Sequence, residues 1–350
     1  MAMSSESCKP FPKIKQFKII NPMKRLSTKT LSNLFKAVIF SAAFIFSTNL
    51  SNAQICSSSN PVIYSLSNAG GIYPITVSNA SVGSDVNSTS YGSSTSANSI
   101  GYNTVNGLFY YFQVAISGTK QFVSYNPVTN AYTTLASSPI TATVNRGCVN
   151  FNGTGYYCLD VNGNLYYYSI ASNTWTSICS TFKDQYGNNV TSIFSSESSG
   201  DMAIDGSGNM WIVSSNGSKY GLYELVAPLP TITVASITVK QLIAPTASTP
   251  AGAGFVGIAF DPSGNMYMAT STDLYILDNV LTLNHIGVFS VAGVCGDLTS
   301  CNFPFSILPV SWGSFMATVQ ENKSVSIAWE ASQQIDNKGY YIEHSVDGAN

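Results

Sequence analysis

Apolar and polar residues alternate along most of the chain in short runs that turn-forming residues separate. Four stretches repeat the same order of apolar run, acid or amide, glycine and aromatic run, and they are SIGYNTVNGLFYYF (99–112), RGCVNFNGTGYYCL (146–159), GDMAIDGSGNMWIV (200–213) and VGIAFDPSGNMYMA (256–269). Alternation on both sides of a turn predicts a hairpin of two half-buried strands. Helical periodicity is hard to find after residue 54, so the pattern predicts an all-β protein.

Each repeat has an acid or amide that can bond the backbone two residues on, and a glycine that can take a positive φ cheaply. The predicted blade-turn residues are Asn103 with Gly107, Asn152 with Gly155, Asp205 with Gly208, and Asp261 with Gly264. These residues predict the same tight turn in all four copies.

A second hairpin pattern follows each first one, at 121–135, 164–178, 221–236 and 273–287. A unit of four short strands and about 50 residues is typical of a β-propeller blade, which cannot bury both faces alone. A further copy of the second pattern, VIYSLSNAGGIYPITVS (62–78), stands without a first hairpin. This half unit predicts a ring of about five blades that strands from both chain ends close.

The repeats resemble those of secreted bacterial propellers of the NHL and two-component-regulator types, whose blades carry an Asp-x-x-Gly-Asn-(Leu/Met)-(Tyr/Trp) turn. The resemblance covers about residues 55–306 and implies the fold, with almost no indication of activity. We therefore assign residues 54–306 to the propeller domain.

The blade pattern does not continue into residues 307–350. There Val325, Ile327 and Trp329 alternate with small residues as in a half-buried strand. The stretch resembles the start of a fibronectin-type-III-like module of Bacteroidota surface proteins. About three of its seven strands are present, too few to close a two-sheet sandwich, so we expect this tail to be poorly anchored. By the same resemblance, a sorting domain for type IX secretion is expected to follow.

Residues 1–53 combine a basic start, an apolar run and a small-residue site before Gln54. This order predicts a secretory signal peptide cleaved between Ala53 and Gln54. A retained anchor is the alternative, but the apolar run of about 10 to 14 residues is shorter than a spanning helix needs. We expect an exported, extracellular or surface-displayed monomer with no membrane insertion after cleavage.

Charged residues make up 9% of the chain, and 8 of its 15 lysines and arginines fall within the first 36 residues. The rest of the chain is mildly acidic and holds no basic patch for a phosphate backbone. Nucleic acid is therefore excluded as an expected partner.

Six cysteines follow the predicted cleavage site, an even number that favours disulfides in an exported protein. Their spacing shows no metal-binding pattern, so no metal is expected. We favour Cys148 with Cys158 across one hairpin and Cys295 with Cys301 as a short loop. A bond from Cys56 to Cys301, which would lock the two ends of the ring, is the alternative.

The sequence contains few motifs that could bind a metal or cofactor or carry out catalysis. The Asp-x-x-Gly-Asn turns begin like a calcium loop, yet the twelfth position from Asp160 is Ala171 and from Asp205 is Asn216, where such a loop needs Glu. Gly252 to Gly257 matches a dinucleotide-binding pattern by letter but follows no strand and opens no helix. No nucleophile motif accompanies the two histidines, His285 and His344. We therefore expect no cofactor and name no catalytic residue.

Two further features bear on function. The acids Asp160, Asp201, Asp205 and Asp261 could converge on one rim, although turn formation explains them as well. The many tyrosines, such as Tyr110-Tyr111 and Tyr166 to Tyr168, could stack on sugar rings or pack in the core. The leading expectation is a non-catalytic module that binds an extracellular polysaccharide or protein. A polysaccharide-active enzyme with rim carboxylates and a structural surface spacer are the alternatives.

Overall fold

The computed structural model describes residues 55, 62–87, 96–114, 120–195, 199–305, 307, 311–320 and 324–333. Their main feature is a set of five four-stranded antiparallel sheets, which we call blades 1 to 5. Blade 1 contains, from the inside outward, β22 (Asp297–Ser300), β1 (Val62–Leu66), β2 (Ile72–Thr76) and β3 (Ser81–Val82).

Each of the other four blades is built from one continuous part of the chain, and only in blade 4 does a strand of another sheet intervene between the third and fourth strands. Blade 2 contains β4 (Asn98–Asn103), β5 (Leu108–Val114), β6 (Lys120–Asn126) and β7 (Ala131–Thr134). Blade 3 contains β8 (Val144–Val149), β9 (Gly155–Asp160), β10 (Leu165–Ser169) and β11 (Thr174–Cys179). Blade 4 contains β13 (Ser199–Ile204), β14 (Met210–Asn216), β15 (Lys219–Leu225) and β17 (Lys240–Ser248). Blade 5 contains β18 (Gly257–Phe260), β19 (Met266–Ala269), β20 (Asp273–Leu277) and β21 (Leu283–Val288).

The inner strands pack side by side in a closed ring, in the order β22, β4, β8, β13, β18 and back to β22. Blade 1 joins the two ends of the ring, because β22 from the C-terminal side pairs with β1, with Ile63 opposite Ser300 and Leu66 opposite Asp297. The protein is thus a five-bladed β-propeller. The predicted all-β class, blade number and closure by both chain ends are confirmed.

The core lies between neighbouring blades, where aromatic side chains from facing sheets interlock. Phe122 of blade 2 packs against Tyr156 and Trp175 of blade 3, each with ring centroids 4.9 Å away. Phe255, just before blade 5, lies 5.0 Å from Tyr220 of blade 4 by the same measure. Aromatic contacts of this kind stabilise the interface beyond the area that they bury, so each blade depends on its neighbours.

A long connection in blade 4 reaches back to blade 3. Residues 226–239 join β15 to β17 and contain β16 (Ile237–Thr238), which pairs in parallel with β12 (Phe182–Lys183). Backbone N–H groups of Val234 and Ile237 donate to the carbonyls of Ile178 and Thr181, at 2.8 and 3.1 Å. The connection therefore covers the outer edge of β11, an edge that would otherwise be open to non-specific pairing.

Two short helical turns and a separate hairpin complete the described elements. The turns are α1 (Ser192–Ser195) and a 3-10 turn at Pro250–Gly252. The tail forms the antiparallel hairpin of β23 (Ser311–Val319) and β24 (Val325–Gln333), in which Phe315 lies opposite Trp329. Phe315, Val319 and Val325 are exposed. Residues 334–350, needed for the fibronectin-type-III-like sandwich, lie outside the described residues.

The predicted signal peptide at 1–53 also lies outside the described residues. Among the residues that the structure does describe, no helix has the length and apolar character needed to cross a membrane.

Candidate functional site

The centre of the ring holds one layer of residues at equivalent positions of the five inner strands. Four of them stand four residues before the hairpin turns at 103, 150, 205 and 261, and the layer consists of Ser99, Arg146, Asp201, Gly257 and Asp297. All five are buried. The inner strands thus bring one guanidinium and two carboxyl groups into the interior of the ring.

Each carboxyl group of this layer binds the backbone of the next blade. Asp201 of blade 4 accepts a 2.8 Å hydrogen bond from the N–H of Ile258 in blade 5. Asp297 of blade 1 accepts one of 3.1 Å from the N–H of Ile100 in blade 2 and a second from the N–H of Ser99. Bonds that carboxylates accept from backbone N–H groups are among the stronger hydrogen bonds in proteins. The two acids therefore fasten neighbouring blades together.

The two carboxyl groups also hydrogen-bond each other. Burial, opposed by the hydrogen bonds it accepts, raises the pKa of Asp201 to about 7. Burial, together with the adjacent charge of Asp201, raises the pKa of Asp297 well above its ordinary value. Two buried carboxyl groups in contact share a proton, because both cannot ionise in a low-dielectric interior.

Arg146 is completely buried and ties blade 3 to blade 4. Its Nη2 donates to the carbonyl of Ser199 at 2.8 Å and to Oγ of Ser214 at 3.0 Å. Gly200 has a φ of +139°, and a Cβ at this position would lie 2.7 Å from Nε of Arg146 and 2.2 Å from the carbonyl oxygen of Val213. The guanidinium therefore fits only because residue 200 is glycine.

A small cavity lies next to this layer. A cavity of about 20 Å³ remains among residues such as Met202, Ile258 and Leu298, enough for one water molecule. Pro304 accepts a 3.0 Å hydrogen bond from the N–H of Gly206, which places the chain after β22 beside the hairpin turn of blade 4. Within the described part of the chain, Asp201 and Asp297 are both fully buried. The pair is therefore placed to hold blades together rather than to bind a polymer.

The cysteines correct the favoured disulfide pairing. Cys148, Cys158, Cys179 and Cys295 are buried free thiols. In the β8–β9 register Cys148 lies opposite Tyr157, and Cys158 lies opposite Gly147. Because neighbouring residues of a strand point to opposite faces, Cys148 and Cys158 lie on opposite sides of the sheet and cannot bond.

The predicted bond of Cys295 with Cys301 is absent as well, since the Cys295 thiol is free. Cys295 is buried beside the acid layer, and burial raises the pKa of its thiol well above the usual range. Cys301 is disulfide-bonded, and the alternative partner Cys56 lies outside the described residues.

The repeated Asp-x-x-Gly-Asn turns use their carboxylates internally. Oδ1 of Asp205 accepts from the N–H of Ser207 and of Asn209, and Oδ2 accepts from Nδ2 of Asn209 at 3.1 Å and Nε1 of Trp211 at 3.0 Å. Asp261 repeats the pattern, with Oδ2 accepting from the hydroxyl of Tyr267 at 3.1 Å. Asp160 does the same with Asn164. These acids shape their own turns; Asp205 and Asp261 lie in the turns after the inner strands β13 and β18, whereas Asp160 lies in the turn between β9 and β10.

The turn glycines lie at the predicted positions in three of the four repeats, and in the second repeat the turn is shifted along the chain. Gly107, Gly208 and Gly264 have φ values of +74°, +87° and +85°. In the second repeat the positive φ, +70°, belongs to Gly153, and Oδ1 of Asn150 accepts from the N–H of Gly155. The turn there lies two residues earlier than Asn152 and Gly155 suggest. Gly155 instead begins β9, where a Cβ would lie 2.2 Å from the Tyr167 ring.

The tyrosines singled out for sugar stacking are mostly core residues. Tyr110, Tyr111, Tyr167 and Tyr168 are buried, and only Tyr166 of that group is half-buried. Tyr186, in the loop after β12, is 81% exposed. Sequence alone does not distinguish these cases, because the alternation of a blade strand places tyrosines against either neighbouring blade.

One open groove lies beside the covered edge of blade 3. It has a volume of about 510 Å³, within the size range of ligand sites, and it is formed by the 226–240 connection together with Gln185. Its apolar lining consists of Val226, Pro228, Leu229, Pro230, Val234, Ile237 and Val239. Gln185, Ser236, Thr238 and Lys240 add a few polar groups.

Hydrogen bonds to blades 3 and 4 hold the connection that forms the groove. The hydroxyl of Tyr157 donates to the carbonyl of Pro230 at 3.2 Å, and the N–H of Ala227 donates to Oδ1 of Asn209 at 2.9 Å. At one end Lys240 forms a 3.4 Å ion pair with the buried carboxylate of Glu224. The connection thus presents a shaped apolar surface on rigid blades, a feature that the repeat pattern does not predict because the connection belongs to a single blade.

Comparison with known proteins finds distant structural similarities only. No family pattern and no curated protein matches the chain. A protein of unknown function from Bacteroides thetaiotaomicron is 12% identical over 70% of this chain and 63% of that chain, with a TM-score of 0.45. The extracellular domain of a hybrid two-component system from B. thetaiotaomicron is 14% identical over 80% and 36% of the two chains, with a TM-score of 0.34.

A gluconolactonase of Xanthomonas campestris is 10% identical over 79% of this chain and 93% of that chain, with a TM-score of 0.36. The chain covers less than two thirds of the two B. thetaiotaomicron structures, at 63% and 36% of their lengths. Similarities this distant carry no argument about activity, and the five-bladed assignment rests on the sheets described above.

Proposed function

We propose that this protein is an exported, non-catalytic binding module that takes a segment of a partner protein in the groove beside blade 3. The observation that carries the proposal is the open groove of about 510 Å³, whose lining is aliphatic and proline-rich. Burial of apolar side chains in such a groove is the usual source of affinity for a polypeptide. The export follows from the predicted signal peptide.

A protein fits this lining better than a polysaccharide. Sugars are bound through exposed aromatic faces with amide or carboxylate groups around them, whereas the groove is lined by Leu229, Val234 and Ile237. The exposed Tyr186 follows Gln185 at the rim and offers one aromatic contact. An experiment that offers both peptides and polysaccharides can therefore distinguish a protein ligand from a polysaccharide ligand.

The enzyme alternative requires a carboxylate that a substrate can reach. Asp201 and Asp297 have the raised pKa values of an acid pair, yet they are enclosed and bonded to the backbones of neighbouring blades. The turn acids Asp160, Asp205 and Asp261 bond their own hairpins. The spacer alternative makes no use of the groove.

The test is retention of intact protein on an array of random ten-residue peptides and on immobilised bacterial, algal and plant polysaccharides. The variant Leu229→Ser removes an apolar contact from the groove floor. Its matched control, Ile232→Ser, changes an equally apolar residue of the same connection that is 70% exposed and lies outside the groove lining.

We expect wild type and Ile232→Ser to be retained on a subset of peptides and Leu229→Ser to lose about tenfold in affinity on the same subset. Thermal unfolding confirms that both variants fold. Retention on polysaccharides alone, or equal retention of all three proteins, overturns the assignment of the groove.

A further inference from the structure

The hairpin turns that follow the inner strands expose two aromatic rings. In the propeller, the described residues include three exposed aromatic side chains, Phe151, Tyr186 and Phe305. Phe151 is 41% exposed and Phe305 is 82% exposed. Exposed apolar residues that stand singly are ordinary, whereas adjoining ones mark interaction sites. The position of the two phenylalanines therefore decides what they indicate.

Both phenylalanines border the same hairpin turn, residues 205–209 of blade 4. A Cβ added at Gly208 would lie 3.1 Å from Cε1 of Phe151, and one added at Gly206 would lie 3.3 Å from Cδ1 of Phe305. These two glycines are two residues apart in one tight turn. The two rings therefore flank this turn and belong to one surface, which we call the turn face.

Hydrogen bonds hold the backbone that carries both rings. The segment after β22, which carries one ring, accepts a 3.0 Å bond from the N–H of Gly206 through the carbonyl of Pro304. The turn at 150–154, which carries the other ring, accepts a 2.9 Å bond from Nδ2 of Asn103 through the carbonyl of Gly153. A surface that is ordered before binding loses less conformational entropy when a ligand binds.

The hairpin turns around the rings contribute neutral polar groups. Their exposed side chains include the apolar Val105 and the polar Thr104, Asn106, Asn152, Ser207 and Ser263. The acids of these turns, Asp205 and Asp261, are buried and accept hydrogen bonds within their own turns. The turn face thus combines aromatic rings with amide and hydroxyl groups, and its hairpin turns add no exposed charge.

This combination fits a neutral saccharide. The C–H groups on one face of a sugar ring pack against an aromatic ring, while amide and hydroxyl side chains donate to and accept from the sugar hydroxyls. An acidic polymer would need cations for complementarity, and the turns supply none. An apolar peptide anchor needs a pocket, which the groove beside blade 3 supplies instead.

We propose that the turn face is a second binding site, in which Phe151 and Phe305 stack on the sugar rings of a neutral polysaccharide and neighbouring amide and hydroxyl side chains bind its hydroxyl groups. The inference goes beyond the proposed function, because the site lies outside the groove lining and takes another class of ligand. A module with both sites links its partner protein to a glycan.

The test is affinity electrophoresis of the intact protein in gels that each contain one soluble polysaccharide. The neutral ones are β-glucan, mannan, xylan and galactan, and the acidic ones are polygalacturonate and alginate. Phe305→Ala removes one ring, Phe305→Leu keeps an apolar side chain without an aromatic face, and Phe305→Trp keeps an aromatic face. Tyr186→Ala is the matched control, because Tyr186 is 81% exposed but lies in the loop after β12. Thermal unfolding confirms that all variants fold.

We expect at least one neutral polysaccharide to retard wild type and Tyr186→Ala equally, in low and in high salt, because a neutral ligand has no charge to screen. Phe305→Ala and Phe305→Leu should each lose about tenfold in affinity for it, since each removes a central aromatic contact. Phe305→Trp should be retarded like wild type.

Wild type that no neutral polysaccharide retards, full affinity of Phe305→Leu, or equal losses in Tyr186→Ala and Phe305→Ala overturns this inference. Retardation by the acidic polymers alone, abolished by salt, overturns it too. The proposed function fails separately, when Leu229→Ser and Ile232→Ser behave alike on the peptide array. Leu229→Ser should be retarded by the neutral polysaccharide like wild type, and loss of that retardation would place the glycan in the groove and overturn the second site.

Discussion

Asp201 of blade 4 and Asp297 of blade 1 hydrogen-bond each other inside the ring, and each also binds the backbone of the next blade. One protonated pair thus connects four of the five blades. A feature that looks like a catalytic carboxyl pair is placed instead where it holds the ring together.

The pair predicts that stability falls as pH rises. Because the folded-state pKa of Asp201 is raised to about 7, the protonated form belongs to the folded protein. Its contribution is complete below the unfolded pKa near 4 and is lost as pH rises through 7. The slope from this group is at most about 1.4 kcal/mol per pH unit.

Urea unfolding of wild type and Asp201→Asn at pH 5, 6, 7 and 8 checks this expectation. Asparagine resembles the protonated acid and does not titrate, so the variant gains stability relative to wild type as pH rises. Parallel pH profiles for the two proteins would show that the pair does not share a proton.

Gly200 predicts a large cost for one added methyl group. In Gly200→Ala the Cβ meets the carbonyl of Val213 and the guanidinium of Arg146, so we expect a loss of about 2 to 4 kcal/mol in unfolding free energy. Gly187→Ala is the matched control, because Gly187 also has a positive φ, +87°, but no atom within 4 Å of the added carbon. It should cost about 1 kcal/mol, and equal losses for both variants would be inconsistent with a clash at Gly200.

The turn acids predict unequal effects of the same substitution. Asp205→Ala leaves the buried indole N–H of Trp211 without its acceptor and should cost about 2 to 4 kcal/mol in chemical denaturation. Asp184→Ala removes a similar turn at the surface and should change stability far less. A larger effect at Asp184 than at Asp205 would refute this assignment.

The cysteines predict one disulfide that closes the ring, between Cys56 and Cys301. Cys301 is disulfide-bonded, and both Ile55 and Cys301 pack against the apolar cluster that Tyr64 and Phe109 share. Non-reducing peptide mapping of the protein should recover this one pair, with four thiols that react only after unfolding. A peptide that links Cys148 to Cys158 would refute the free-thiol arrangement.

The repeat made the architecture predictable, because the alternation around Asp205 and Asp261 recurs in four of the five blades and indicates the strands and, apart from the two-residue shift at Asn150, the turns. The half unit at 62–78 likewise indicated closure by both chain ends. Asp297 was not predicted, since β22 stands alone without the hairpin that marks the other inner strands. The Cys148–Cys158 pairing was wrong because a shift of one residue in register reverses the face of a strand.

The groove could not be predicted either. It is formed by a connection found in one blade only, and its shape depends on the parallel pairing of Ile237 with Phe182. No local signal in the 226–239 segment indicates that it crosses to the neighbouring blade. Features that repeat are therefore predictable here, and the groove that we propose as the binding surface is not.

The most direct test of binding without catalysis is mass spectrometry of ligands recovered after prolonged incubation with intact protein, for both the peptide array and the polysaccharide panel. We predict that peptides retained by wild type and Ile232→Ser are recovered at unchanged mass, that Leu229→Ser retains less of them, and that no polysaccharide is shortened. Released oligosaccharides, or cleaved peptides, would contradict the assignment of this propeller as a binding module.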